Sequence, residues 1–256
     1  LCKFTNRQIP VFIFLLCLLS RLAYLWLSGW DGFEIFGDSI RYDILSDRIL
    51  AGQHDLDLIA FISPPLYPYF IALLKIVLGI HWAETAVYCQ IILVALSSVG
   101  LYNTARLIFE NQGPAVTAAV IYIFYPLTMW FNIAIGQESF FQSFFIFFLF
   151  HLTAYLKSLC RKHLVLMVLF LSLSILTKSH VSLLAPSLLL YVLLTKQYRH
   201  AFYIGILFLL FLGPLLLRNT LLYNKRSFSN YASGSMMLIG HSDANYACLG
   251  WNDLHA

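Results

Sequence analysis

Asp38, Arg41 and Tyr42 stand at i, i+3 and i+4 of a helix-compatible stretch, so a carboxylate, a guanidinium and a phenol converge on one side of it. They lie in the most acidic part of the chain. Between Asp31 and Asp57 stand Asp31, Glu34, Asp38, Asp43, Asp47, Asp55 and Asp57, seven of the twelve acidic residues. This stretch follows directly on the first long apolar run, which puts its carboxylates at a membrane surface, where a polar acceptor and a lipid-borne donor can meet. A short surface helix is expected to carry the trio: Ile40, Ile44, Leu45 and Ile49 share one face, and Ala51 and Gly52 close it. From spacing alone, a plain structural role for Asp38 as an N-cap accepting backbone N–H bonds is the favoured reading over catalysis.

The elements that must position these residues are membrane spans. The chain is 60% hydrophobic and 11% charged, against about 25% charged in an ordinary soluble domain. Eight apolar segments follow one another: 9–29, 64–80, 85–101, 114–130, 139–156, 163–176, 181–194 and 201–217. The first is too long for a signal-peptide core and no small-residue cleavage site follows it, so it stays as a span. Arg7, Arg106, Lys157, Arg161, Lys162, Lys196 and Arg199 flank alternate segment ends, which the positive-inside tendency assigns to the cytoplasm. The order then balances only if 64–80 fails to cross. Pro64, Pro65 and Pro68 crowd its start and Lys75 interrupts it, so it is expected to lie at the outer interface or to dip in and return.

The fold expected is therefore all-α, a polytopic transmembrane helical bundle of about seven spans plus one juxtamembrane or re-entrant segment. Residues 1–217 form the membrane domain, with an acidic first extracytoplasmic loop at 30–63, and 218–256 begin an extracytoplasmic region. The chain opens at Leu1 and stops after His255 and Ala256, and we read it as the N-terminal fragment of a longer protein. No basic cluster suits a nucleic-acid backbone. Five dispersed cysteines and the isolated His54, His180 and His241 show neither a disulfide framework nor metal-ligand spacing.

Further polar residues sit where the acidic loop and the tail emerge together. Arg218 ends the last segment and either snorkels as a stop charge or meets an anion. Lys178 lies in a polar turn with Thr177, Ser179 and His180. Glu138 opens a helix, where a carboxylate also complements the N-terminal dipole. The Phe-rich run 140–150 reads first as packing or lipid contact.

Several short motifs, in order, resemble one family. Gly37-Asp38-Ser39-Ile40-Arg41-Tyr42 with Gly52 and then Ser63-Pro64-Pro65-Leu66-Tyr67-Pro68 is similar to the opening of the dolichyl-phosphate-mannose protein mannosyltransferase and aminoarabinose-transferase-like superfamily, the GT-C membrane glycosyltransferases. Tyr102-Asn103-Thr104-Ala105-Arg106, Gly136-Gln137-Glu138, and Gly213-Pro214 with Arg218-Asn219 and Ser233-Gly234 resemble later family stretches. Leu215 stands where an aromatic is usual after the proline, and Gln137 where a small hydroxyl is common.

The resemblance implies an integral multi-pass enzyme, in the plasma or inner membrane if bacterial. It would transfer a sugar, with inversion, from a polyprenyl-phosphate-linked donor to a hydroxyl on protein, lipid or glycan at the extracytoplasmic face. It implies Asp38 as general base and Arg41, Tyr42, Glu138, Lys178, Arg218 and Asn219 as substrate-binding. Beyond the donor it requires no cofactor, and it leaves room for a divalent metal. The rival class is a transporter or lipid-linked-glycan handling protein, which should carry charges inside its spans or broken helices near the midplane. In this sequence the charges gather almost wholly at segment ends.

Overall fold

Each apolar segment of the sequence becomes helix, and the computed structural model describes residues 8–29, 37–53 and 64–223. The acids Asp31, Glu34, Asp55 and Asp57, together with His54, His241, the Ser233-Gly234 pair and the region 224–256, lie outside the described residues. In chain order the helices are α1 (Gln8–Leu27), α2 (Asp38–Leu50), α3 (Leu66–Leu78), α4 (Trp82–Phe109), α5 (Gln112–Phe124), α6 (Pro126–Ile133), α7 (Glu138–Ser158), α8 (Arg161–Thr177), α9 (Leu184–Leu194) and α10 (Tyr198–Tyr223), with 3-10 turns at Gly79–His81 and Ser179–Leu183. The described residues contain no strand.

Four stretches are long and apolar enough to cross a bilayer: Gln8–Leu27, Leu66–Phe109, Glu138–Ser158 and Tyr198–Leu221. The pair α5 and α6, bent by 56°, makes a fifth if taken as one broken span. The second stretch is not one rod. Residues 67 and 90 would be about 34 Å apart along a straight helix, yet the Tyr67 hydroxyl donates to Gln90 Oε1. The chain reverses at Gly79, whose φ of 57° suits a residue without a side chain. Helix α3, 13 residues long, is too short to cross a core of about 30 Å and doubles back onto α4, the returning form expected of 64–80.

Helix α4 is the axis of the bundle, with α1, α5 and α7 packed on it, α8 on α7, and α10 on α8. Three apolar clusters bind these layers: α1 with α4 and α5 around Cys17, Val94 and Ala119; α2 and α3 with α4 around Tyr42, Tyr67 and Val87; and α7 to α10 around Tyr155, Met167, Leu171 and Ile204. Phe140 and Phe148 of the Phe-rich run are buried in these cores.

The basic turns gather at one end. Lys157 in the last turn of α7 bridges to Glu110 after α4 at 2.7 Å, Tyr155 reaches Gln197 before α10 and His200 in its first turn at 2.9 and 2.8 Å, and Arg161 lies over the Tyr203 ring. The opposite end holds the starts of α3 and α7 and the ends of α8 and α10.

One charge departs from the pattern read in the sequence. Arg21 lies inside α1 and is fully buried. Its guanidinium donates to the Tyr122 and Ile123 carbonyls beside the α5–α6 break, so a charge inside a span and a break between helices are joined in one structural contact.

Candidate active site

The acidic helix is docked on α3. Gly37, with φ 57°, precedes its first turn, so Asp38 is the first helical residue and the N-cap position belongs to Gly37. A carboxylate in that first turn still gains from the helix dipole, but it is left exposed and paired with Arg41 at 3.2 Å. The buried face is rotated from the one read in the sequence: Ser39, Tyr42, Leu45 and Ser46 point inward, while Ile40 and Ile44 are exposed. The tyrosine decides this. Tyr42 sets its ring edge-on to Tyr67 at 5.0 Å, and Tyr67 in turn meets Phe140 at 5.4 Å, so three helices close on one aromatic cluster.

Asp43 and Asp47, counted in the sequence only among the acids of this stretch, grip α3. Lys75 Nζ stands 2.6 Å from a carboxylate oxygen of each and 3.3 Å from the Asp43 carbonyl. The lysine that interrupts the α3 apolar run therefore holds the acidic helix in place. It also lies 5.1 Å from the Trp82 ring.

The Tyr42 hydroxyl is buried and makes no hydrogen bond, and neither does the Arg41 Nε. Burial pushes the phenol well above its usual pKa, the Glu138 carboxylate adds to the rise, and Arg41 opposes it more weakly. Burial thus holds the phenol protonated, with its hydroxyl short of a well-formed hydrogen bond and the Arg41 guanidinium close by.

Glu138 opens α7 and pairs with Lys178, at the end of α8, at 2.9 Å with both side chains about a quarter exposed. Gly136 leaves room for this pair, since a Cβ there would meet Glu138 Oε2 at 2.6 Å. Lys178 also lies over the Phe141 ring, as does the neighbouring His180. Gln137, beside them, is buried with its Oε1 lacking a partner.

Arg218 is half-buried and lines a cavity of ≈ 420 Å³ with Pro65, Leu66, Tyr69, Leu176, Phe211, Pro214 and Leu215. Its walls are apolar or aromatic apart from the guanidinium. Asn219, next to it, is buried and does not line the cavity.

The sequence-derived residues thus fall into three groups at one end of the bundle. Asp38, Arg41 and Tyr42 are on α2, the Glu138–Lys178 pair joins α7 to α8, and Arg218 is on α10, with α3 touching all three regions through Lys75, Tyr67 and Leu66. No direct contact joins Asp38 to Arg218. Tyr67, Lys75 and Gly136 are parts of this end that sequence reasoning did not select as site residues, although Tyr67 and Gly136 lay inside family-like motifs. Among the described residues no three His, Cys, Asp or Glu side chains gather as a metal set, and both carboxylates here, Asp38 and Glu138, are already paired with cations.

Comparison with known proteins bears on this arrangement. The family model described as dolichyl-phosphate-mannose-protein mannosyltransferase matches residues 63–222. The curated dolichyl-phosphooligosaccharide-protein glycotransferase 1 of Archaeoglobus fulgidus is 37% identical over 94 residues, 36% of this chain and 15% of the archaeal protein. The matched stretch is thus a small part of that relative's length. No solved structure matches the chain.

Proposed function

Because the chain belongs to the dolichyl-phosphate-mannose-protein mannosyltransferase family, membrane glycosyltransferases of the GT-C type, we propose that it transfers a sugar from a polyprenyl-phosphate-linked donor to a hydroxyl acceptor with inversion. The observation that carries the reading is the apolar cavity with a single guanidinium, Arg218, opening beside α3 at the end that also bears Asp38. A prenyl chain suits its walls and a phosphate suits its one charge. The name of the archaeal relative, a protein glycotransferase using a dolichyl-linked donor, favours protein as the acceptor.

In this mechanism the acceptor oxygen attacks the anomeric carbon as the carbon–oxygen bond to phosphate breaks on the opposite face. The acceptor proton passes to Asp38, and the bonding electrons leave with the polyprenyl phosphate. A carboxylate is a weak base for an alcohol, so proton transfer is late and concerted with departure of the phosphate. Arg218 stabilises the charge on that leaving group. Lys178, neutralised by Glu138, helps shape the sugar pocket, with the Tyr42 hydroxyl and Gln137 Oε1 offering a donor and an acceptor to sugar hydroxyls. No step is routed through a metal ion.

The basic turns at the far end of the bundle favour a cytoplasmic position there. The site end then faces away from the cytoplasm, outside the inner membrane in a bacterium.

The test uses membranes holding the full-length protein and a panel of radiolabelled polyprenyl-phosphate sugars, with protein and lipid products extracted separately. Asp38→Asn should lower transfer by about 10² to 10⁴ while expression and insertion stay unchanged. Unaltered transfer in that variant rejects Asp38 as base, and failure with every donor returns the rival transporter reading.

A further inference from the structure

We propose that Arg21 is a positioning residue: buried inside α1, it caps the broken span α5–α6 and, through Asn132 and Ser139, fixes the segment that presents Glu138. Its functional half rests on the site described above, whereas its structural half stands without it.

The argument begins at Pro126. Proline has no N–H, so the Tyr122 carbonyl loses the donor that would follow it in a continuous helix. The 56° bend between α5 and α6 parts the next pair as well. Two carbonyls left open among apolar side chains are costly, as any unsatisfied backbone group in a span is. Arg21 supplies both. Its Nη1 donates to the Ile123 carbonyl and its Nη2 to the Tyr122 carbonyl at 3.3 Å, while Thr128 Oγ1 makes a longer contact to Tyr122 at 3.4 Å. Nη1 also reaches Ser20 Oγ at 3.3 Å.

The fork has a third direction. Arg21 Nε donates to Asn132 Oδ1 at 2.9 Å, Asn132 Nδ2 donates to Ser139 Oγ at 3.2 Å, and Ser139 Oγ donates to the Phe131 carbonyl at 3.0 Å. Ser139 follows Glu138 directly. A second interior chain holds the other side of this junction: Gln90 Nε2 donates to the Ala134 carbonyl at 2.7 Å and Gln90 Oε1 accepts from Tyr67. The turn 134–138 is therefore fastened from α1 on one side and from α4 on the other, and Glu138 leaves it already aimed at Lys178.

A buried arginine at membrane depth otherwise marks a translocation path. Here four of its N–H groups go to two backbone carbonyls, the Asn132 amide and the Ser20 hydroxyl, which lie in different directions. A planar guanidinium can meet all four partners and an ammonium cannot. Lysine should consequently fail as a replacement, although charge is kept.

The experiment uses the full-length protein in lipid nanodiscs. In Arg21→Lys, amide hydrogen exchange should accelerate at least tenfold over residues 123–139 while peptides of α10 exchange as in wild type. Asn132→Asp guards against a merely misfolded variant. It can still accept from Arg21 and can no longer donate to Ser139. It should protect 122–126 as wild type does and loosen 134–139. With whichever radiolabelled polyprenyl-phosphate sugar gives product, its kcat should fall at least tenfold with a far smaller change in donor KM, because the prenyl-phosphate part of the donor is assigned to the Arg218 cavity, which no residue of α1, α5, α6 or α7 lines. Acceleration spread equally over α10 in Arg21→Lys overturns the proposal. So does wild-type exchange at 134–139, or wild-type kcat, in Asn132→Asp. The exchange measurements need no substrate, so they decide the structural half even if sugar transfer is not the activity.

Discussion

Replacing Lys75 with methionine tests whether the acidic helix is held by its ion pairs. The Lys75 side chain is 12% exposed and its ammonium stands 2.6 Å from Asp43, whose side chain is 28% exposed, and 2.6 Å from Asp47, whose side chain is 63% exposed. The first pair is largely sheltered, and a hydrogen bond to a charged group there contributes about 1.5 kcal/mol, the low end of its usual range. The second is open to water and contributes about 0.5 kcal/mol. Methionine keeps the apolar stem, so Lys75→Met should weaken docking of α2 by roughly 2 kcal/mol, about thirtyfold in the docked-to-undocked ratio at 1.36 kcal/mol per tenfold. Hydrogen exchange of the 38–50 amides, measured on full-length protein in nanodiscs, should quicken by about that factor. Adding Asp43→Asn should cost little more, since the two changes remove one shared interaction. Exchange within about threefold of wild type in Lys75→Met would refute the reasoning, and would mean that the Tyr42–Tyr67 contact alone holds the helix.

Two further substitutions separate packing from chemistry. Tyr42→Phe removes a buried hydroxyl without a partner, a group whose desolvation costs about 1 to 3 kcal/mol. The variant should melt at or above the wild-type temperature yet transfer sugar about tenfold more slowly, one lost hydrogen bond's worth. A lower melting temperature would assign the hydroxyl a structural partner. Gly136→Ala forces the Glu138 carboxylate to move, because the new Cβ would stand 2.6 Å from it. Transfer should fall at least tenfold with insertion intact, and unaltered rates would show that the Glu138–Lys178 geometry is dispensable.

What the sequence disclosed and what it withheld follow one physical line. Every apolar segment became a helix because hydrophobic run length is a local property, and the reversal at Gly79 was foreshadowed by prolines, Lys75 and charge parity. Asp38 beside Arg41 was legible because their spacing lies on one helix. The inward turn of Tyr42 was not, since the partner ring of Tyr67 is 25 positions away in the sequence and overrode the apolar face of Ile40 and Ile44. The pairing of Asp43 and Asp47 was hidden for the same reason, their cation being on another helix. Arg21, Gln90 and Asn132 were hidden among apolar neighbours. A single polar residue in a span has no periodic signature, and its meaning appears only with the carbonyls that it serves.

Helix α8 has a consequence for the surrounding lipid. At 17 residues it reaches about 26 Å, short of a hydrocarbon core of about 30 Å. Its end, Lys178, marks the site. With α8 upright, either the bilayer thins by a few ångström beside it or the Lys178–Glu138 pair sits below the headgroup plane. Thinning brings the headgroup layer down to the pair, whereas without it a phosphate must sink a few ångström to reach protein cations. In either case the short helix sets the depth at which the Lys178–Glu138 pair meets the membrane surface.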